Sequence, residues 1–286
     1  MEIELLMPKR LKREQVAYYL ENGFVAPVPA LASEEAATFR RRFEEYEQAH
    51  QGWYALSKGQ KLYLLQTWAR DIASHPSVLD AVEDVLGPDI FLWGLSLFVK
   101  ESKDPGYVSW HQDSTYWGLS QPDVVTAWVA LSPSTRESGC MKMLPGSHKL
   151  QQLPHYDTLA EHNLLTRGQE IAVEVDEDEA VFLVLQPGEI SLHNIRTIHG
   201  SEPNRSHERR IGVAMRYIAP HVKQTNGDQD SAWLVRGEDR YHHFVHEAPP
   251  QRDMDDAARA EHDRIMKLRQ GILYDGVRGK PAHLDA

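Results

Sequence analysis

Apolar and polar positions change period twice along this chain. From Leu11 to Glu21 the apolar residues Val16, Ala17 and Leu20 recur at helical spacing, and Asn22-Gly23 supplies a helix stop. Phe24 to Val28 then reads as a short strand. A second helix is expected from Ser33, as its cap, through about Glu47, with Glu34 and Glu35 in its first turn. Helical patterning returns near 60–72 and 76–86 and stops at Gly87-Pro88. From Ile90 to Pro220 the period shortens to β-type runs near 91–99, 106–112, 124–131, 139–144, 170–175, 180–185, 189–193 and 210–219. Such strands, with no long helices between them, predict a mainly β protein with flanking helices. Its core would be a double-stranded β-helix, the jelly-roll or cupin-like barrel. The polar stretch 146–169 is longer than a hairpin turn requires and is a candidate lid, and a charged helix is expected over 253–269.

These segments suggest a single domain over 1–286, with a helical wrap over 1–89, a β core over 90–220 and a C-terminal extension with a helix over 221–286. The formal net charge of −11 argues against nucleic acid or an anionic membrane as partner. No apolar stretch approaches transmembrane length. Cys140 is the only cysteine, which excludes an intrachain disulfide and fits a reducing compartment. The acidic start, Met1-Glu2-Ile3-Glu4, does not read as a signal peptide. The expectation is a cytoplasmic protein, monomer or homodimer, whose partner is a small molecule.

The candidate chemistry begins at Trp110-His111-Gln112-Asp113, which follows the apolar run from Phe91 to Val99. Side chains two apart on a strand face the same way, so His111 and Asp113 are expected to converge. An imidazole and a carboxylate supply two of the three ligands of a 2-His-1-carboxylate triad, which holds Fe(II) and leaves other positions open. His-x-Asp occurs three times in the chain. His155-Tyr156-Asp157, in a polar stretch after Pro154, and His283-Leu284-Asp285, at the C-terminus, read as surface residues. His199 lies 88 residues beyond His111 (199 − 111), far enough to arrive from a different strand at the same barrel mouth. On the strand that follows, Arg210, Gly212, Ala214 and Arg216 share one face, and Ile211, Val213, Met215 and Tyr217 the other. The first face suggests a cavity with a cation in its wall. A guanidinium there would hold a carboxylate in a bidentate pair, or else form a structural salt bridge.

Several motifs recur in a specific order: Trp110-His111-Gln112-Asp113, Thr126-Ala127-Trp128, Gly139-Cys140-Met141, Leu144-Pro145-Gly146-Ser147-His148 and His199-Gly200-Ser201, with an arginine eleven residues after His199. In that spacing the chain resembles the phytanoyl-CoA dioxygenase family of Fe(II)/2-oxoglutarate oxygenases, and the likeness runs from the helix ending in Glu21-Asn22-Gly23-Phe24 to Tyr217. The resemblance implies that His111, Asp113 and His199 bind iron. It implies that Arg210 binds the distal carboxylate of 2-oxoglutarate, with a hydroxyl hydrogen bond from Ser201 and with Trp128 beside the co-substrate. Arg209 points the other way on the strand, so register and family spacing both favour Arg210.

Other candidates carry alternatives. Trp110, Tyr116 and Trp117 flank the ligand pair and either line the substrate pocket or belong to the core; Trp117 alternatively touches 2-oxoglutarate. His193, Arg196 and Arg216 are candidates to meet a polar substrate, whereas His148 and Cys140 read as structural. The implied activity uses O2 and 2-oxoglutarate to hydroxylate a small-molecule metabolite, releasing succinate and CO2. Asp113 stands where halogenating relatives have a small residue, which favours an oxygenated product. A cupin-like hydrolase or isomerase with another metal would need the same three ligands but no dicarboxylate anchor. A non-catalytic metal-binding protein on this fold is the other alternative.

Overall fold

Helix α1 (Arg13–Asn22) stops where Gly23 takes a positive φ of 83°, and β1 (Phe24–Pro29) leaves from that turn. The computed structural model describes residues 7–50, 60–165, 167–226 and 230–273, without the side chains of 115, 116 and 270–273. Helix α2 (Ser33–Ala49) begins one residue earlier than expected, with Ser33 inside the helix rather than capping it. Ala32 is the N-cap residue, because the Glu35 carboxylate accepts the Ala32 N–H at 2.8 Å. The helix expected over 60–72 is split into a 3-10 turn at Leu62–Leu64 and α3 (Thr67–Ala73). Asp253, remote in sequence, accepts the Thr67 N–H at 2.7 Å and so sets where α3 starts. Helix α4 (Pro76–Leu86) matches its expected bounds.

The strands that follow are β2 (Ile90–Lys100), β3 (Val108–His111), β4 (Val124–Ala130), β5 (Met141–Met143), β6 (His155–Asp157), β7 (Gln169–Ile171) and β8 (Val181–Phe182). After them come β9 (Glu189–Asn194), β10 (His199–Ser201), β11 (Arg210–Ile218), β12 (Ser231–Arg236), β13 (Val245–His246) and finally helix α5 (Asp256–Leu273). Two facing sheets build a jelly-roll core: a seven-stranded one in the order β1-β9-β4-β11-β2-β12-β13, and a four-stranded one in the order β3-β10-β5-β8. The larger sheet draws in β1, β12 and β13, which lie outside 90–220. β6 and β7 form a separate antiparallel pair inside the stretch read as a lid. That stretch is tied down, with Ser109 donating to the Gln169 carbonyl at 2.6 Å and Asn163 donating to Ser109 at 2.8 Å.

The faces of β11 divide as the period-2 pattern requires. Ile211, Val213, Met215 and Tyr217 pack with the helices in the main apolar cluster, where the Tyr217 hydroxyl donates to the Ala73 carbonyl at 2.8 Å. The opposite face lines a cavity between the sheets, to which Arg210, Ala214 and Arg216 contribute. Gly212, between them, is required by a close approach: a Cβ built there would lie 1.8 Å from the Trp128 ring. The missing side chain is what lets that indole lie across the sheet, 3% exposed. At the far side, Lys61 donates to Glu247 at 2.5 Å and to the Ser231 carbonyl at 2.8 Å, and Tyr63 donates to the other Glu247 oxygen at 2.5 Å. This buried group joins the N-terminal wrap to the C-terminal extension.

Gly212→Ala should cost about 1–3 kcal/mol, the usual range for overpacking a filled interior. Calorimetric unfolding measures it; an unchanged melting temperature would mean that Trp128 can leave its position freely.

Candidate metal centre

β10 pairs antiparallel with β3 so that His199 lies directly opposite His111, and the two ring centroids are 4.1 Å apart. Each ring is pinned by the same local device. His111 Nδ1 is 2.9 Å from the Ser109 carbonyl, and His199 Nδ1 is 2.9 Å from the Thr197 carbonyl. A carbonyl can only accept, so the proton sits on Nδ1 and each Nε2 presents a lone pair. Asp113 is the third donor: one ligand atom each from His111, Asp113 and His199 fall within 4.8 Å of one another.

Asp113 does not lie on the strand as expected, because β3 ends at His111 and Asp113 opens a 3-10 turn over Asp113–Tyr116. The two side chains still converge, with His111 Nε2 3.6 Å from Asp113 Oδ1, since Gln112 between them keeps extended angles. Gln112 is held from several directions. Its N–H donates to His155 Nε2 at 3.0 Å, its side-chain amide donates to the Arg196 carbonyl at 2.9 Å, and its side-chain oxygen accepts the Leu153 N–H at 2.9 Å. His155, read from the sequence as a surface residue, is therefore half-buried behind the ligand pair, and Asp157 pairs with Arg167 at 2.6 Å.

The segment before His199 is built by the motifs upstream. Thr197 donates to the Gly23 carbonyl at 2.8 Å, and Ser147 accepts the Ile198 N–H at 2.9 Å. The turns at Asn22-Gly23 and Gly146-Ser147 thus set the height of His199. Burial lowers the His199 pKa well below the usual imidazole value, and the neighbouring imidazoles of His111 and His193 add to that, so its lone pair stays available. Burial alone would raise the Asp113 carboxyl; the imidazoles of His111, His193 and His199 outweigh it and hold the group well below the usual range. Two neutral imidazoles and one carboxylate at separations too long for hydrogen bonds fit a divalent ion.

The second part of the site is a group of buried basic side chains around Arg210. Arg210 is 1% exposed, donates from Nη1 to the Gly139 carbonyl at 2.5 Å and leaves Nε without a partner. Its guanidinium carbon lies 5.4 Å from the Trp128 ring centre. Among the described residues no carboxylate lies within 4.0 Å of it, so the structural salt bridge is not made. Burial pushes its pKa down to about 10. The neighbouring Cys140 thiol, pushed up to about 11 by burial, stays neutral and offers no counter-charge. Arg209 faces outward and pairs with Glu47 at 3.0 Å and Glu101 at 2.6 Å. Ser201, 3% exposed, accepts a hydrogen bond from Lys100 Nζ at 2.7 Å. Lys100 stands opposite Arg210 on β2 and is fully buried, and burial first, then Arg210, pushes its pKa down to about 6. The sequence carried a signal for Lys100, since it continues the phase of Ser96 and Phe98 on β2 toward the cavity.

His193, Trp117 and Arg216 also line this cavity. His193 Nε2 is 3.7 Å from Asp113 Oδ2, and neither of its ring nitrogens has a hydrogen-bond partner. Trp110 and Arg196 are not brought to the cavity. Trp110 alternates away from His111 on β3, donates to Glu177 at 3.0 Å and lies under the Lys142 ammonium. Arg196 contributes its carbonyl to Gln112 rather than its guanidinium to the cavity. The Tyr116 side chain lies outside the described residues. Sequence reading missed Trp93 and Arg269, which also line the cavity. The face of α5 bearing the buried His262, Ile265 and Arg269 is the one local hint of the latter.

Comparison with known proteins agrees with this geometry. The non-heme monooxygenase ThoJ, in its apo form, superposes with a TM-score of 0.83 at 34% sequence identity, covering 91% of this chain and 98% of that one. CytC3, solved with Fe(II) and alpha-ketoglutarate, superposes with a TM-score of 0.64 over 86% of this chain and 96% of that one; at 21% identity it bears on the fold alone. A "Probable alpha-ketoglutarate-dependent hypophosphite dioxygenase" from Stutzerimonas stutzeri is 31% identical over 146 residues. That match spans half of this chain and half the length of the relative. The model of the phytanoyl-CoA dioxygenase family matches residues 19–212, more than half of the chain, and the chain belongs to that family of iron- and 2-oxoglutarate-dependent dioxygenases.

Proposed function

We propose that this protein hydroxylates a small-molecule metabolite, with 2-oxoglutarate as co-substrate and with His111, Asp113 and His199 as the ligands of its iron. One observation carries the reading: a two-imidazole, one-carboxylate donor set opens on the same cavity as a buried guanidinium that has no carboxylate partner among the described residues. A metal-dependent hydrolase or isomerase would explain the first feature and not the second. No helix among the described residues is long and apolar enough to cross a membrane, and the one cysteine is buried, which supports the cytoplasm as its compartment.

When bound, iron and 2-oxoglutarate supply the oxidising chemistry, in which O2 and 2-oxoglutarate are consumed, succinate and CO2 leave, and the substrate gains one oxygen atom. The protein's part is positional. Ser109 and Thr197 aim the two Nε2 lone pairs through their carbonyls, and His193 faces Asp113 Oδ2, which leaves Oδ1 as the oxygen that would hold the ion. Arg210 and Ser201 hold the distal carboxylate of the co-substrate, and the Trp128 ring forms the wall beside it. Lys100 orients Ser201 and adds a second positive charge when protonated.

His111→Ala, Asp113→Ala and His199→Ala should each abolish turnover and Mn(II) or Fe(II) binding while leaving the fold intact. Isothermal titration decides it; a variant with wild-type metal affinity removes that residue from the ligand set. Arg210→Ala should weaken 2-oxoglutarate about ten- to hundredfold, as loss of a charged hydrogen bond costs about 1.5–3 kcal/mol. Arg209→Ala should leave that affinity unchanged, and a reversed result would put the strand one residue out of phase. A bound dianion favours the charged form of Lys100, whose pKa of about 6 leaves it mostly neutral at pH 7. Binding of 2-oxoglutarate at pH 7 should therefore take up protons, and Lys100→Met should remove that uptake. Titration calorimetry in buffers of different ionisation heat reads it, and zero uptake in the wild type would mean Lys100 does not respond to the ligand.

A further inference from the structure

The cavity holds more positive charge than the metal ligands and the co-substrate require. At the end away from Arg210, Arg216 and Arg269 converge over Gly94: a Cβ built there would touch the Arg216 stem at 3.5 Å and Arg269 Nη2 at 4.0 Å. Each guanidinium lies against an indole. Arg216 sits 5.3 Å from the Trp117 ring centre and Arg269 4.2 Å from that of Trp93, and those two rings are 5.2 Å apart. Arg216 donates to the Ser96 hydroxyl at 2.7 Å, and Arg269 donates to the Trp93 carbonyl at 3.2 Å. Both leave a buried Nε without a partner.

Their charges are unevenly answered. Asp230, 3.8 Å from Arg269, is its counter-charge and is held in place by Trp93 Nε1 at 2.7 Å and the Ser231 N–H at 2.8 Å. Lys61 nearby is balanced by Glu247 at 2.5 Å. Among the described residues no carboxylate lies within 4.0 Å of Arg216. The negative group whose field reaches it is Asp113, which the proposed function commits to the metal. A buried cation without a counter-charge is costly, and a second guanidinium beside it adds repulsion. The strand register fixes which side of the cavity this is. Arg216 stands beside Thr126 on β4, whose hydroxyl is 3.5 Å from Asp113 Oδ2.

We propose that the substrate is an organic anion, a carboxylate-bearing small molecule that docks its charge on Arg216 and Arg269 beside Trp93 and Trp117. This rests on the proposed function, because it takes Arg210 and the triad as already engaged by 2-oxoglutarate and iron. A carboxylate would accept from the free edges of both guanidinium groups. The indoles would enclose the adjoining carbon skeleton, and docking beside Asp113 would bring that skeleton to the metal.

The test uses the full chain loaded with Mn(II) and saturating 2-oxoglutarate, with benzoate as probe and benzamide as its neutral match. Proton relaxation of each probe by the bound manganese reports entry into the cavity. Benzoate should be relaxed with saturation, and benzamide should stay at the level of a metal-free control. Arg216→Met should reduce benzoate binding at least about tenfold while 2-oxoglutarate affinity stays at the wild-type value; Arg269→Met should act in the same direction. Equal relaxation of the two probes, no relaxation of either, or wild-type benzoate binding in both variants would overturn the proposal. The contrast between acid and amide on the wild-type protein decides the matter even if a variant fails to fold. Failure of the underlying reading would appear separately, as wild-type protein that does not bind Mn(II) or 2-oxoglutarate.

Discussion

The site depends on keeping two imidazole nitrogens unprotonated and aimed at one point. An Nδ1–H bond to the carbonyl two residues back does this for both His111 and His199, and the β3–β10 register brings the rings together, tilted by 46°. The carbonyls that pin the rings belong to short strands that could not hold their own positions. They are held instead by the turns at Gly23 and Ser147 on one side and by His155 and Gln112 on the other. A metal centre of three side chains therefore draws its rigidity from three distant segments.

Charge placement follows from strand alternation. Arg209 and Arg210 are neighbours, yet among the described residues one meets three glutamates and the other meets none. The buried basic groups Arg210, Lys100 and Arg216 all lie on inward positions of β2 and β11, the paired strands at the centre of the larger sheet. A cavity walled this way is prepared for anions before any arrives. The cost of those desolvated charges must be met by packing elsewhere, and the apolar face of β11 against the helices provides it.

The chain ends complete the cavity rather than merely surrounding it. Lys61 from the N-terminal wrap meets Glu247 and Ser231 from the C-terminal extension, and Arg269 from α5 reaches the same region. Pairing of β12 with β2 carries Asp230 to Trp93, so the indole that lines the cavity is oriented by a residue from beyond the β core.

The sequence by itself determined the elements whose signal is local. The period of β11 separated Arg210 from Arg209, Gly23 ended α1, and the spacing of short strands predicted the jelly roll. It also contained the His111, Asp113 and His199 set, although the strand on which His111 and Asp113 were expected to converge ends at His111. Only the tertiary structure decided what depends on pairing between distant segments. Nothing in Pro154-His155-Tyr156-Asp157 says that its histidine will accept the Gln112 N–H, because the partner is 43 residues away. The start of α3 waits on Asp253, and Trp110 turns outward because its neighbour His111 must turn in. Arg269 lies on a charged helix far from any motif, and its place in the cavity follows from how α5 docks. Periodicity fixes which way a side chain points relative to its own backbone, whereas the object it meets is set by the packing of the whole chain.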